Sequence, residues 1–171
     1  MKLQDRDINI INFIQNNHGA TIEQLQKLFF PSYDMTAKRL KLLADNKFLK
    51  AQVHPILGKK VYYLKRIPSF HALVITDITI LLSDKIKFMQ REYKIKNNKV
   101  DCIFILKTGK IIILEVDIYN RTKETKVKDV MDALAETKAA VEFWIVCKCK
   151  RREQVRGIKY IEMKNIKDIK L

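Results

Sequence analysis

The amino-acid sequence predicts an α+β protein in two parts: three helices and a β-hairpin, then a helix, three strands, a helix and a strand. Three observations predict this order. Apolar residues recur at helical spacing before residue 66, strand-like runs that are apolar on both faces fill the later part, and Pro68-Ser69 separates the two. With 47% hydrophobic residues and only four Gly and three Pro, the chain is expected to fold. We place the domains at 1–66 and 67–171.

The first part contains three predicted helices. Asp5 is suited to cap the first helix, which ends at His18-Gly19. Thr21-Ile22-Glu23-Gln24 has the capping-box pattern at the start of the second helix, and Pro31-Ser32 ends it. The third helix is predicted over residues 34–46.

Two short strand-like runs, residues 50–54 and 60–64, flank a turn after the third helix. Three helices followed by a β-hairpin is the order of a winged helix-turn-helix, in which the third helix enters the major groove of DNA. Such contact needs polar donors and cations on that helix and on the wing. The candidate DNA-binding residues are Tyr33, Thr36, Lys38, Arg39, Lys41, Lys59 and Lys60. The alternative is a solvated helix face on a protein-interaction module.

Positive charge extends over both parts of the chain. The formal net charge is +15; residues 1–66 carry 12 basic and 5 acidic side chains, and residues 67–171 carry 22 and 14. This excess predicts an anionic polymer as partner, with double-stranded DNA the leading candidate. The longest apolar run, residues 73–82, is too short to span a bilayer, and the three Cys lack the spacing of a disulfide framework. We therefore expect a cytoplasmic protein with no membrane association.

The second part should begin with a helix over residues 70–85, followed by strands at 88–95, 100–106 and 111–117, with a turn at 97–99 between the first two. A helix at 123–137, a buried strand at 141–147 and an edge strand at 160–163 follow, with a short helix expected between the last two strands.

The turn Lys107-Thr108-Gly109-Lys110 predicts a hairpin closed by a three-residue loop, with its glycine in the left-handed conformation. In that register Asp101 lies opposite Glu115, and Asp117 shares their face because strand side chains alternate. A two-residue loop would instead set Asp101 opposite Val116 and split the acids. The predicted register thus brings together three carboxylates that can hold a divalent metal.

Short motifs in a shared order run through most of the chain. They are Asp5-Arg6-Asp7-Ile8, Leu28-Phe29-Phe30-Pro31-Ser32, Thr36-Ala37-Lys38-Arg39-Leu40, Val61-Tyr62-Tyr63-Leu64, His71 with Asp77, and Leu114-Glu115-Val116-Asp117. On these motifs the chain resembles the replication-relaxation family of plasmid and conjugative-element proteins, in which a winged helix is joined to a PD-(D/E)xK nuclease-like domain. The predicted α-β-β-β-α-β order resembles the core of that nuclease fold.

The resemblance implies a candidate active site on the hairpin. In an active nuclease of this fold, an acid on each hairpin strand holds Mg²⁺, and a lysine two residues after the second acid assists the reaction. Asp117 stands where that lysine is expected, so its role is either catalytic or structural, as a partner of Arg121 or a cap of the following turn. If the domain is active, the catalytic residues are Asp101, Glu115, Asp117, Lys126 and Lys128, and the metal ligands are Asp101, Glu115 and Asp117.

We expect a DNA-binding accessory protein of a plasmid or conjugative element with a nuclease-like domain that is not catalytic. The resemblance implies a role in assembling a replication, relaxation or transfer complex at an origin, or in local transcription control. It also implies a relaxase or other origin-bound protein as partner. A homodimer is expected because paired winged helices commonly bind DNA as dimers. No cofactor is expected, apart from Mg²⁺ if the nuclease-like site is active. The alternatives are a Mg²⁺-dependent endonuclease, an antitoxin-like or other two-domain transcriptional regulator, and a protein-interaction adaptor.

Overall fold

The computed structural model describes residues 1–151 and 155–169. The chain packs into two compact units, residues 1–80 and 81–171. Within the described ranges the helices accompany a three-stranded and a five-stranded sheet, which confirms the predicted α+β class. None of the helices in these ranges has the length and apolar character needed to cross a membrane.

The helices of the first unit begin and end close to the predicted positions. They are α1 (Asp5–Asn17), α2 (Ile22–Phe29), α3 (Tyr33–Asp45) and α4 (Phe70–Leu81). Gln4, not Asp5, is the N-cap of α1, because the helix begins at Asp5; the Gln4 N–H donates to the Asp7 carboxylate at 2.8 Å. The division at residue 80 assigns nearly all of α4 to the first unit, whereas the sequence places the boundary before this helix; the domain bounds 1–66 and 67–171 stay a prediction.

The capping box of α2 is confirmed. The Gln24 N–H donates to Thr21 Oγ1 at 3.2 Å, and the Thr21 N–H donates to Gln24 Oε1 at 3.0 Å. The Gln24 side-chain amide also donates to the Leu73 carbonyl at 2.9 Å, which joins α2 to α4. The Gln24 side chain therefore both caps the start of α2 and connects this helix to α4.

A three-stranded antiparallel sheet completes the winged helix. Its strands are β1 (Ala20–Thr21), β2 (Lys50–Val53) and β3 (Lys60–Tyr63), in the order β1-β3-β2. The two-residue β1 was not predicted, because so short a strand has no recognisable pattern. Gly19 before it has φ of 153°, and a Cβ there would lie 2.7 Å from Pro68 Cγ, so a side chain at this position meets both strain and a clash.

The second unit contains the predicted sheet and the second helix of the nuclease-like order. The strands are β4 (Ile86–Ile95), β5 (Asn98–Leu106), β6 (Ile111–Asp117), β7 (Val141–Cys147) and β8 (Ile158–Glu162). They lie in sequential order, antiparallel from β4 to β6 and parallel from β6 to β8. Helix α5 (Glu124–Leu134) packs on one face, where Val127 and Val130 join the core with Phe143 and Ile145.

Several boundaries differ from the prediction, among them the start of β4 at Ile86 and the bounds of β8. Helix α4 ends at Leu81 and α5 at Leu134, each several residues earlier than predicted. The β4–β5 turn lies at Lys96-Asn97, since Ile95 pairs with Asn98 and Lys96 takes a positive φ of 50°. The short helix predicted between β7 and β8 falls on a stretch that includes residues 152–154, which lie outside the described residues.

The register of the β5–β6 hairpin is confirmed. The Leu106 N–H donates to the Lys110 carbonyl at 2.8 Å, and Gly109 has a positive φ of 84°. Cys102 pairs with Leu114 along the same register. Continued by one residue, this register sets Asp101 opposite Glu115, as the three-residue loop requires.

Candidate functional site

Helix α3 presents three of the predicted DNA-binding residues on its surface. Tyr33, Lys38 and Lys41 are exposed. The apolar side chains of Met35 and Leu42 are exposed on the same helix. This exposed surface combines cations with apolar and aromatic groups, a composition suited to nucleic acid.

The prediction that Thr36 contacts DNA is corrected. Thr36 is completely buried, and its hydroxyl donates to the Ser32 carbonyl at 2.7 Å. It lies on the inner side of α3 with Leu40 and Leu43, four and seven residues later. Its hydroxyl therefore stabilises the first turn of the helix instead of reaching a ligand.

Arg39, also predicted to contact DNA, forms an ion pair within the first unit. Its Nε donates to Asp7 Oδ1 at 2.7 Å, and its Nη2 pairs with the other carboxylate oxygen. The Asp7 side chain is 0% exposed and that of Arg39 is 21% exposed. The hydrogen bonds from Arg39 hold the pKa of Asp7 below its usual value against the opposing effect of burial. This two-point ion pair joins α1 to α3 and uses the guanidinium internally.

On the wing, both predicted lysines are exposed. Lys60 is the first residue of β3, and Lys59 precedes it with its Nζ 2.7 Å from Glu23 Oε1. Both members of that pair are well exposed to solvent, so the pair contributes little stability and Lys59 can exchange Glu23 for a phosphate.

His54 organises the wing, and the sequence analysis missed it. Its buried ring accepts hydrogen bonds at Nδ1 from the backbone N–H groups of Ile56 and Leu57, both at 3.2 Å. Because Nδ1 accepts, Nε2 carries the proton and donates to the Pro68 carbonyl at 3.1 Å. A single histidine before a proline has no pattern that announces this role.

The two acids on β6 are buried, and each faces a cation. Glu115 Oε1 lies 2.7 Å from Lys126 Nζ on α5. Asp117 pairs with Arg151 and accepts the Thr122 N–H at 3.0 and 3.1 Å. The structural role predicted for Asp117 as a cap of the following turn is confirmed, but its cation is Arg151 instead of the exposed Arg121.

Thr122 joins the two acids, and the sequence did not identify it. Its hydroxyl oxygen lies 2.6 Å from Asp117 Oδ1 and 3.3 Å from Glu115 Oε2. Since the hydroxyl has one proton, it donates to the nearer carboxylate. Asp101 is committed elsewhere, because its Oδ2 accepts the Val116 N–H at 2.8 Å.

Glu115 is the electrostatically strained member of the group. Burial raises its pKa, the charge of Asp101 raises it further, and Lys126 opposes both. A carboxylate that is buried beside another carboxylate binds a proton more readily than a free one.

The acids do not form a ready metal centre. Within residues 1–151 and 155–169, no three His, Cys, Asp or Glu side chains are grouped so that they could hold a metal ion. The donors of Glu115 and Asp117 already face Lys126 and Arg151, so Mg²⁺ would have to displace a cation at each. Lys128, the other lysine predicted for this site, is exposed on α5. The residues as arranged therefore do not fit the ion.

A basic cleft lies beside Asp117, where β6 and β7 end. Its volume is about 730 Å³. Its cationic lining residues are Arg121, Lys148, Lys150 and Arg151. The second unit thus offers a positively charged concave surface next to the buried acids.

Comparison with known proteins gives distant likenesses. No family model matches the chain, and no curated protein matches it. Among solved structures, a repair endonuclease from Pyrococcus abyssi is 17% identical, with a TM-score of 0.42 over 61% of this chain and 52% of that one. Protein VC1899 from Vibrio cholerae is 13% identical, with a TM-score of 0.40 over 94% of this chain and 48% of that one.

A third solved structure, of EndoMS in complex with double-stranded DNA, is 14% identical, with a TM-score of 0.37 over 66% of this chain and 62% of that one. The chain spans about half the length of the first two structures. Identities and TM-scores this low assign no residue role to this chain. The resemblance to the replication-relaxation family stays a prediction.

Proposed function

We propose that this chain is a DNA-binding accessory protein whose winged helix grips duplex DNA. The observation that carries the proposal is that neighbouring cations on α3 face different sides of the helix. Lys38 and Lys41 are exposed, while Arg39 between them is turned inward onto Asp7. A helix held rigidly from behind, with free cations in front, is suited to phosphate contact.

The wing extends this surface. Lys59 and Lys60 stand at the start of β3, next to a loop whose backbone is held by His54. Together with the net charge of +15, these groups support an interface in which phosphate contacts supply most of the affinity.

Removing both α3 lysines tests the proposal. Lys38→Ala with Lys41→Ala should weaken binding to duplex DNA and reduce the slope of log K against log salt by about 0.9 for each lost phosphate contact. Fluorescence anisotropy across about 50 to 200 mM salt measures the slope. Lys2→Ala, at an exposed lysine before α1, is the control. An unchanged slope in the double variant would overturn the proposal.

For the second unit we propose a nuclease-like fold without catalysis, used to bind DNA or to assemble with other proteins. The commitment of Glu115 to Lys126 and of Asp117 to Arg151 and Thr122 supports this, and the basic cleft supplies a surface for DNA. On the sequence resemblance, the protein acts at the origin of a plasmid or conjugative element, in replication, relaxation or transfer, with a relaxase or another origin-bound protein. Local transcription control, as in an antitoxin-like regulator, is the alternative. Homodimer formation is part of the proposal.

One observation favours the rival enzyme. Lys126 on α5 places an ammonium group 2.7 Å from Glu115, and Lys126 is one of the catalytic candidates that the resemblance implies. Incubation of supercoiled, linear and single-stranded DNA with Mg²⁺ or Mn²⁺ tests this reading, and we expect no cleavage. Cleavage that is lost in Glu115→Ala but kept in Lys128→Ala would establish a Mg²⁺-dependent endonuclease and contradict our proposal.

A further inference from the structure

The tip of the wing is apolar and exposed. The wing loop, residues 54–59, follows β2 and contains Pro55, Ile56 and Leu57 in succession. The side chain of Ile56 is 60% exposed, and that of Val53 just before the loop is 58% exposed. Val53 and Ile56 thus place two exposed branched apolar side chains close together at the tip of the wing, where a partner can cover them.

The loop is held in one conformation. His54 accepts the N–H groups of Ile56 and Leu57, and its own backbone N–H donates to the Lys59 carbonyl at 2.8 Å. The Gly58 N–H donates to the His54 carbonyl at 2.9 Å, and Gly58 has a positive φ of 63°. Ile56 therefore lies on a preorganised backbone, which lowers the entropy lost when the tip meets a partner.

Two cations lie beside this apolar tip. Lys59 and Lys60 follow it directly, and Lys60 pairs across the sheet with Val53. An apolar point within a basic frame complements the DNA minor groove, whose rims are phosphates and whose floor exposes the edges of stacked bases.

We propose that Ile56 is a wedge that enters the minor groove of duplex DNA and partly unstacks one base step, so that the DNA bends. Insertion of an apolar side chain costs stacking energy, and the protein recovers it through the additional backbone contacts that bent DNA permits. Lys59 and Lys60 are placed to make those contacts. The inference rests on the proposed function, to which it adds a bending activity and the residue responsible.

Bending is measured on the full chain with duplexes of about 30 bp that carry a donor and an acceptor dye at their ends. A second set of duplexes carries 2-aminopurine at flexible pyrimidine–purine steps, where its fluorescence rises on unstacking. Wild-type protein at saturation should raise both the energy transfer and the 2-aminopurine signal. Ile56→Ala should lose both signals while it still binds, and its salt slope should be smaller than that of the wild type, because unbent DNA no longer brings its phosphates to Lys59 and Lys60.

Ile8→Ala is the matched control, because Ile8 on α1 is also an exposed isoleucine, at 45%, and lies off the wing. It should bend DNA as the wild type does. If the wild type binds DNA without bending it, the wedge is overturned and DNA binding stands. If Ile56→Ala still bends DNA, the wedge is overturned in the same way. A wing tip that docks on another protein instead of DNA would give one of these two results. If the wild type does not bind duplex DNA at all, the proposed function fails and the wedge fails with it.

Discussion

The carboxylates of Asp7 in the first unit and Glu115 in the second are both buried and both face a cation, yet their pKa values move in opposite directions. Asp7 receives two hydrogen bonds from Arg39 and one from the Gln4 N–H, and its pKa falls. Glu115 faces Lys126 and receives a weaker hydrogen bond from the Asp101 backbone, yet its pKa rises because burial and the charge of Asp101 outweigh these groups.

The difference shows that a nearby cation does not by itself lower the pKa of a buried carboxylate. The hydrogen bonds donated to the carboxylate must also outweigh the effect of burial. Asp7 stabilises the fold at any pH above its ordinary pKa of about 3.9, and this contribution is lost as the pH falls through the lowered value. For Glu115 the sign reverses, since a raised pKa favours the protonated acid in the folded state. Its burial therefore reduces stability as the pH rises above about 4.3 and through the raised value.

Arg39→Ala should break the first of these pairs with the largest effect. It leaves Asp7 buried without its two strongest donors, which should lower the free energy of opening of the first unit by about 3 to 5 kcal/mol. Hydrogen exchange of the α1 and α3 amides measures this locally.

Lys38→Ala is the control, because Lys38 is next to Arg39 on α3 but its side chain is exposed. It should change the free energy of opening by less than about 0.5 kcal/mol. Equal exchange in the two variants would mean that the Asp7–Arg39 pair does not hold α1 to α3.

This pair also marks the limit of reading the sequence. The β5–β6 register follows from four adjacent residues, so the local turn chemistry around Gly109 predicts it. Asp7 and Arg39 are 32 residues apart, and nothing near either one announces the contact. Thr36 was different, because Leu40 and Leu43 share its side of the helix and a stricter reading of that periodicity would have buried it.

The acidic site divides in the same way. The capping of the turn by Asp117 is a local property of a short acidic side chain and was predicted. Arg151 reaches Asp117 from 34 residues away, after β7, and only the parallel pairing of β6 with β7 brings the two together. Lys126 was predicted as a candidate from the resemblance alone, because some nucleases of that fold recruit their lysine from the helix after the second hairpin strand.

Lys126→Met should sharpen the contrast between the two carboxylates. Glu115, whose pKa is raised, can accept a proton when its cation is removed, whereas the lowered pKa of Asp7 keeps that acid charged. We expect a loss of about 1 to 3 kcal/mol in the free energy of unfolding of the second unit at about pH 8, and a smaller loss at about pH 5. Removal of the ammonium raises the pKa of Glu115 further, so the decline of stability with rising pH becomes steeper.

The fluorescence of Trp144, the one tryptophan of the chain and buried in β7, reports this unfolding in urea. Lys128→Met, at an exposed lysine of the same helix, should leave stability unchanged at both pH values. A loss of the same size at both pH values in Lys126→Met would show that Glu115 remains charged without its partner.

Thr122→Val should give the smallest effect and separate the two acids of the second unit. The substitution keeps the shape and the backbone N–H bonds to Asp117 but removes the hydroxyl between Asp117 and Glu115. We expect the free energy of unfolding of the second unit to fall by about 1 kcal/mol, since Arg151 still pairs with the Asp117 carboxylate. Urea unfolding followed at Trp144 measures it, with Thr125→Val on the exposed side of α5 as the control. If Thr122→Val instead matches Lys126→Met in size, the two acids depend on one shared network, and the contrast with the self-contained Asp7–Arg39 pair becomes sharper.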